Sequence, residues 1–338
     1  MKRTLLGFVV AAMAVVLLAP GWPATPAEAA DKLRIGVHRA IMGSFDVVAD
    51  RKGYWKEEGL DYTVQYFKQG KLMRNAVIQG NLDTGTTGFS PFVTAVSKGA
   101  KVTGVGVTTE ICATSGRIMV PKDSPVKSVA DLKGKTFATL DGTSTDIAFR
   151  SKILPKHGLK VDDLKYLNVV ATERVAAIVA GNADAALIGD PQAEIAVQKG
   201  LVRELENLCQ VDRTRMMHIG NPQTLAKNRE LMEKYFKGWL KAHKLLKENP
   251  EEYAKVYHQA LQEVGDKTAY EVVLAVIKRL PSSPFLTDLT RQDLQDIAKT
   301  QVGLGYIKDY PDFAKGYSQD DSLLRKVAKE MGFEVPAN

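Results

Sequence analysis

From Lys32 to Leu208 the chain alternates short apolar, β-prone runs with helix-length periods, and few folds absorb that order. KLRIGV precedes SFDVVADRKGYWKEE, DYTVQYF precedes KLMRNAVIQG, LDTGTT precedes SPFVTAVSKG, and KVTGVGVT closes a first series. After DSPVKSVADLKGK the order restarts with TFATL, TDIAFRSKILPKHG, LKYLNV, TERVAAIVAGN, ADAALIG, PQAEIAVQKG and RELENL. Strands that alternate with helices pair in parallel and take helices on both faces, so two series predict two α/β lobes. Gly80, Gly99, Gly158, Gly181 and Gly200 fall just past helical periods, where a positive φ closes a helix. The alternation stops near Asp212. Beyond it a helical tail is expected, in which Leu231, Tyr235, Trp239 and Leu246 recur at helical spacing as a core stripe. At 338 residues, 45% apolar and 25% charged, the chain is long enough for two such lobes.

Residues 1–29 stand apart from this pattern. Lys2 and Arg3 precede the apolar run LLGFVVAAMAVVLLA, and a Pro-rich stretch ends in Ala27-Glu28-Ala29. The run is shorter than the roughly 20 residues that span a bilayer, so it reads as an export signal cut before Ala30. No cysteine near the cut offers a lipid attachment site, and a soluble, non-lipidated periplasmic product is expected. The formal charge of +7 becomes +6 without that segment. Its lysines and arginines are dispersed without aromatic interleaving, which argues against nucleic acid as a partner.

The well-marked catalytic and cofactor motifs are absent. IGVHRAIMGSF lacks the GxGxxG of a dinucleotide site, GKTFATL lacks the upstream glycine of a phosphate loop, and GFSPF is not a GxSxG nucleophile elbow. The five histidines and two cysteines show no metal-ligand spacing, so neither a metal nor another cofactor is expected, and a non-enzymatic role is favoured. Cys112 and Cys209 either pair in an oxidising compartment or remain as two buried thiols.

Hydroxyl-rich helix starts do recur. TTGFSP ends one short strand and opens a helix, and GTSTD does the same in the second series. Free N–H groups at a helix start attract anions, and Ser or Thr hydroxyls add neutral donors. For either start alone, plain capping by Ser90 ahead of Pro91, or by Thr143, Ser144 or Thr145, is the favoured explanation. Two such starts at strand ends of successive lobes favour one ligand held between them. The KQGK turn, with Gly70 and Lys71, is either a third donor site or a solvated turn.

With these residues in view the chain resembles the periplasmic substrate-binding proteins of ABC importers in the sulfonate/nitrate/taurine branch, which groups with binders of thiamine-pyrimidine precursors. The resemblance rests on ADRKGYWKEEGLDYTVQYF, QGNLDTGTTGFSP, KDSPVKSVADLKGKTFAT, GTSTDIAFRSKILPKHGL and IVAGNADAALIGDP, which together cover nearly all of residues 31–210. It implies a type II binding-protein fold: residues 30–115 plus 216–338 as the first lobe with the helical tail, residues 116–215 as the second, and a ligand cleft between them. Crossings between lobes are expected near Gly116 to Pro121 and Asp212 to Ile219, so that a Cys112–Cys209 bond would stiffen the hinge side.

By the same resemblance Thr86, Thr87, Gly88 and Ser90 form the first-lobe ligand contact, and Thr143, Ser144 and Thr145 form the second-lobe donors. Asp190 and the loop from His38 to Gly43 complete the set, with Gly70 as a further candidate. Taurine-type relatives carry histidine where Asp146 stands and tryptophan where Gly189 stands. A carboxylate repels a second anion and a missing ring removes a stacking wall, so another sulfonate, a carboxylate, a zwitterion or a pyrimidine is open as ligand. Asp146, Asp190 and Glu110 either meet a ligand N–H or are solvated and capping residues. The function implied is solute capture by a monomer that delivers to an inner-membrane permease, with a pyrimidine-precursor binder or an enzyme on the same scaffold as alternatives.

Overall fold

The computed structural model describes residues 32–110, 116–212, 215–280 and 283–337; the segment 1–29 and Cys112 lie outside them. β1 (Leu33–His38), β2 (Tyr62–Phe67), β3 (Thr84–Gly88), β4 (Thr103–Glu110) and β10 (Arg215–Gly220) make one sheet in the order β2-β1-β3-β10-β4. β5 (Arg117–Pro121), β6 (Thr136–Thr139), β7 (Lys165–Asn168), β8 (Ala185–Ile188) and β9 (Val202–Asn207) make a second, in the order β7-β6-β8-β5-β9.

Neither sheet is purely parallel. β10 runs antiparallel to β3 and β4, and β5 runs antiparallel to β8 and β9. The segments expected to be crossings are therefore strands, and the chain leaves the first sheet after β4 to enter the second at β5 and returns to the first at β10 after β9. The direction follows from geometry: a chain leaving β4 at its C-terminal end enters the next sheet from the crevice, and so runs against neighbours that end there.

On one face of the first sheet Leu33, Ile35 and Val37 alternate inward from β1, as a strand's two-residue period requires. They meet α1 (Ser44–Arg51), α2 (Tyr54–Glu57) and the stripe Tyr235, Phe236, Trp239 and Leu240 of the long tail helix α10 (Arg229–Glu248). Here the Phe45 ring stacks on His243 at 3.8 Å. The opposite face packs Met217 and Ile219 against Met73 of α3 (Gly70–Ile78), Phe89 and Phe92 of α4 (Phe89–Ser97), and Leu294 of α13 (Asp288–Gly303). The tail thus covers both faces of the first sheet. It includes α9 (Pro222–Lys227), α11 (Pro250–Glu263), α12 (Tyr270–Ile277) and α14 (Ser322–Glu330) as well.

The second sheet has its own two cores. Phe137 of β6 stacks on Phe149 at 3.9 Å within the helical run 144–156, made of α5 (Ser144–Ala148), a π turn (Phe149–Ile153) and α6 (Leu154–Lys156). The other face meets α7 (Arg174–Val179) and α8 (Gln192–Gln198) through Ile178, Ala193 and Ala196. Each fully buried large apolar side chain contributes about 1.5–3 kcal/mol of transfer free energy. Among the described residues no helix is long and apolar enough to cross a membrane.

Candidate ligand site

At the C-terminal end of β3, Thr86 and Thr87 are fully buried, and neither Oγ1 has a hydrogen-bond partner among the described residues. Gly70, which opens α3, lies against this strand end: a Cβ there would stand 3.2 Å from the Thr87 Cα. Gly88 is the residue before α4, so the helix begins at Phe89 and Ser90 lies inside its first turn. Ser90 is therefore not the cap. Its amide, one of the helix-start donors that lack an intrahelical acceptor, donates instead to the Ser144 Oγ at 3.2 Å. Its carbonyl accepts from Gln301 Nε2 at 2.8 Å and from Thr94 Oγ1 at 2.9 Å.

Across the crevice Thr143 does cap its helix: the Oγ1 accepts from the Asp146 amide at 3.3 Å and donates to the Leu140 carbonyl at 2.8 Å. Thr145 Oγ1 lies 3.4 Å from Thr143 Oγ1. The two hydroxyl-rich starts thus meet directly through Ser90 and Ser144. A Cβ on Gly88 would stand 2.6 Å from the Ser144 Oγ, so the approach requires glycine.

Two further contacts tie the same loop to the first sheet's helices. Lys71 Nζ donates to the Asp141 carbonyl, and Tyr306, just past α13, donates to Asp141 Oδ1 at 2.6 Å. Asp146 turns inward, fully buried, and accepts from Arg150 Nε at 2.9 Å and the Gly142 amide at 2.8 Å. Burial raises its pKa, and the Arg150 charge partly offsets that.

His38 and Asp190 belong to a neighbouring part of the crevice. His38 is buried, which pushes its pKa down to about 4, and the neutral ring accepts at Nδ1 from the Ala40 amide at 3.0 Å, fixing the turn into α1. Both Asp190 oxygens are held: Oδ1 by Arg117 Nη1 at 3.0 Å and Oδ2 by Arg279 Nη2 at 2.9 Å. Arg117 lies on β5 of the second sheet, whereas Arg279 follows α12 of the tail, so the carboxylate links the two halves. Beside it Arg39, Ala40, Ile41, Pro191, Gln192 and Tyr257 line a cavity of about 50 Å³. Glu110 faces Arg215, with 3.8 Å between Oε1 and Nη2. Cys209, in the turn Leu208–Gln210, is disulfide-bonded.

Sequence reasoning missed Arg117, Asp141, Arg279 and Tyr306, and it read Lys71 for its backbone amide rather than for the ammonium that reaches Asp141. Single charged residues on helices and loops are ordinarily solvated, so nothing in their spacing marked them.

Residues 44–253 match the family model described as NMT1/THI5 like. A Brucella abortus (strain 2308) protein whose name states only that it binds is 32% identical over 163 residues, 47% of this chain and 48% of that protein. The chain therefore spans about half the length of that relative. An Escherichia coli (strain K12) protein named for binding aliphatic sulfonates is 30% identical over 201 residues, 59% of this chain and 61% of its own length. Among solved structures, the alkanesulfonate-binding protein SsuA from Xanthomonas axonopodis pv. citri bound to MOPS is similar with a TM-score of 0.74 and 24% identity, over 85% of this chain and 97% of that one. Two five-stranded sheets flanked by helices, with a helical C-terminal region, give this chain the fold of the periplasmic binding proteins. With more than half of its length matched, the chain belongs to the NMT1/THI5-like family.

Proposed function

We propose that the chain is the exported, periplasmic solute-binding component of an ABC-type importer. It captures a small organic anion or zwitterion, a sulfonate or carboxylate above all, and as a monomer without catalysis hands it to a membrane permease. The first lobe, 30–115 plus 216–338, closes on the second, 116–215, with Thr86, Thr87, Gly88, Ser90 and Gly70 facing Thr143, Ser144 and Thr145. The observation that carries this reading is the hydrogen bond from the Ser90 amide to the Ser144 hydroxyl. A helix-start donor satisfied from the other sheet has its partner only when the two halves are shut, and opening hands both groups to water, as hinge closure requires. The E. coli and Xanthomonas relatives, by name, bind sulfonates, which favours that ligand class.

Mass spectrometry of the solute that co-purifies from the periplasm tests the reading, followed by a thermal-shift screen of sulfonates, carboxylates and pyrimidines. A true ligand at a hundred times its Kd stabilises by about 2.7 kcal/mol, because it binds only the folded state. Ser144→Ala is expected to weaken binding about fivefold, the worth of one hydrogen bond of about 1 kcal/mol, with little change in the unliganded melting temperature. No stabilisation by any compound in the screen would defeat the proposal.

A further inference from the structure

Arg174 is the only lysine or arginine among the described residues that is buried, at 5% exposure. Other arginines with little exposed side chain have a carboxylate at hand: Arg117 has Asp190, Arg150 has Asp146 and Arg325 has Asp321. Among the described residues Arg174 has none within ion-pair distance. Its Nε donates to the Val169 carbonyl at 3.2 Å and its Nη1 to the Leu187 carbonyl at 2.7 Å, and Nη2 makes no hydrogen bond among the described residues. A guanidinium offers five N–H donors, so most of its capacity is unused.

The position is specific. Val169 follows β7 and Leu187 lies on β8, with β6 between them, so the side chain spans the C-terminal end of β6. There the Val169 amide donates to the Thr139 carbonyl at 2.8 Å, and the buried Thr139 Oγ1 has no partner among the described residues. Thr139 leads directly into the loop, residues 140–143, that touches Lys71 and Tyr306, and Asp146 is near enough to act on Arg174 electrostatically. Open α/β sheets bind ligands outside the carboxyl ends of their strands. Asp146 is engaged by Arg150 and makes no ion pair with Arg174 among the described residues, so the buried guanidinium lacks a carboxylate in direct contact, and arginine's planar fork matches an oxyanion.

Resting on the solute-capture reading, we propose that Arg174 receives the acidic head group of the captured solute, a sulfonate or carboxylate, through its unused N–H groups, with the Thr139 hydroxyl as a second donor. Thr143 and Ser144, engaged in the cap and the lobe contact, then serve closure rather than charge recognition.

Calorimetry and thermal shift on the full mature chain decide this with four matched probe sets: C2–C6 alkanesulfonates, carboxylates, primary amides and primary amines. At least one anionic set is expected to bind, and which one identifies the head group. Arg174→Gln should then lower affinity at least a hundredfold and Arg174→Lys about tenfold, with unliganded melting temperatures close to wild type. Should the glutamine variant fail to fold, the lysine variant carries the test, and wild-type affinity in it overturns the proposal. Binding by amides or amines alone, or anion binding unchanged in Arg174→Gln, also overturns it while leaving solute capture standing. No binding by any set overturns the proposal for Arg174, and solute capture falls with it if the wider thermal-shift screen is silent as well.

Discussion

Asp46 enters the fold as the third residue of α1, 1% exposed, where its Oδ1 accepts a 2.5 Å hydrogen bond from the Tyr235 hydroxyl. Burial pushes its pKa up from 3.8 to about 7, against the smaller opposing effects of Tyr235 and a backbone hydrogen bond. Between those two values the folded state keeps a proton that the unfolded chain has lost, so stability falls as pH rises. The contribution is complete below pH 3.8 and is gone once the pH passes about 7. His38 and His218 act with the opposite sign, because burial lowers their pKa values to about 4 and about 3, and acid then favours the unfolded chain. Asp46→Asn isolates the first effect: relative to wild type, it is expected to gain stability with rising pH at up to about 1.4 kcal/mol per unit. Urea unfolding at pH 4.5, 5.5 and 6.5 checks this, and parallel curves for the two proteins would sink it.

The elements were legible to different degrees. Short runs between helical periods marked β1, β2, β3, β4, β6, β7, β8 and β9, and the stripe of Tyr235 and Trp239 marked α10, because periodicity records which face is buried. RIMVP and RMMHIG went unread as strands, since a five- or six-residue run carries no sign of strand direction or of the sheet that will take it. The hydroxyl-rich starts were legible as a pair of helix N-termini at strand ends. Their partition into a cap (Thr143), a cross-crevice acceptor (Ser144) and a donor amide (Ser90) was not, because it depends on how closely α4 and α5 approach. Gly88→Ala probes that approach. The added methyl would displace the Ser144 hydroxyl and cost the Ser90 amide its acceptor, so binding of the native solute should weaken about tenfold or more, the effect of roughly 1–3 kcal/mol. The unliganded melting temperature should hardly move if the contact forms only on closure. A large drop in that temperature with unchanged affinity would instead make the contact part of the fold's permanent packing.

For the whole molecule, the hinge closure proposed above would be balanced by the few groups that join the two sheets. Arg279 reaches Asp190, Lys71 and Tyr306 reach Asp141, and Ser90 reaches Ser144, all joining elements of the first sheet or its tail to the second sheet. The Arg279–Asp190 pair is asymmetric: the arginine side chain is 50% exposed and the aspartate 3%. An ion pair with one half-exposed member is worth about 0–1 kcal/mol. Removing Arg279 also leaves Asp190 with Arg117, so no buried charge is stranded. Arg279→Ala is therefore expected to shift the closed-to-open ratio by up to about fivefold and to reduce apparent solute affinity by at most that factor, because affinity scales with the competent fraction. The loss should shrink as salt rises, since screening weakens the half-exposed pair in wild type as well. Small-angle scattering without solute, compared with calorimetry at low and high ionic strength, measures both quantities. An affinity loss with no change in the radius of gyration or in salt dependence would place Arg279 in direct contact with the solute rather than in control of closure.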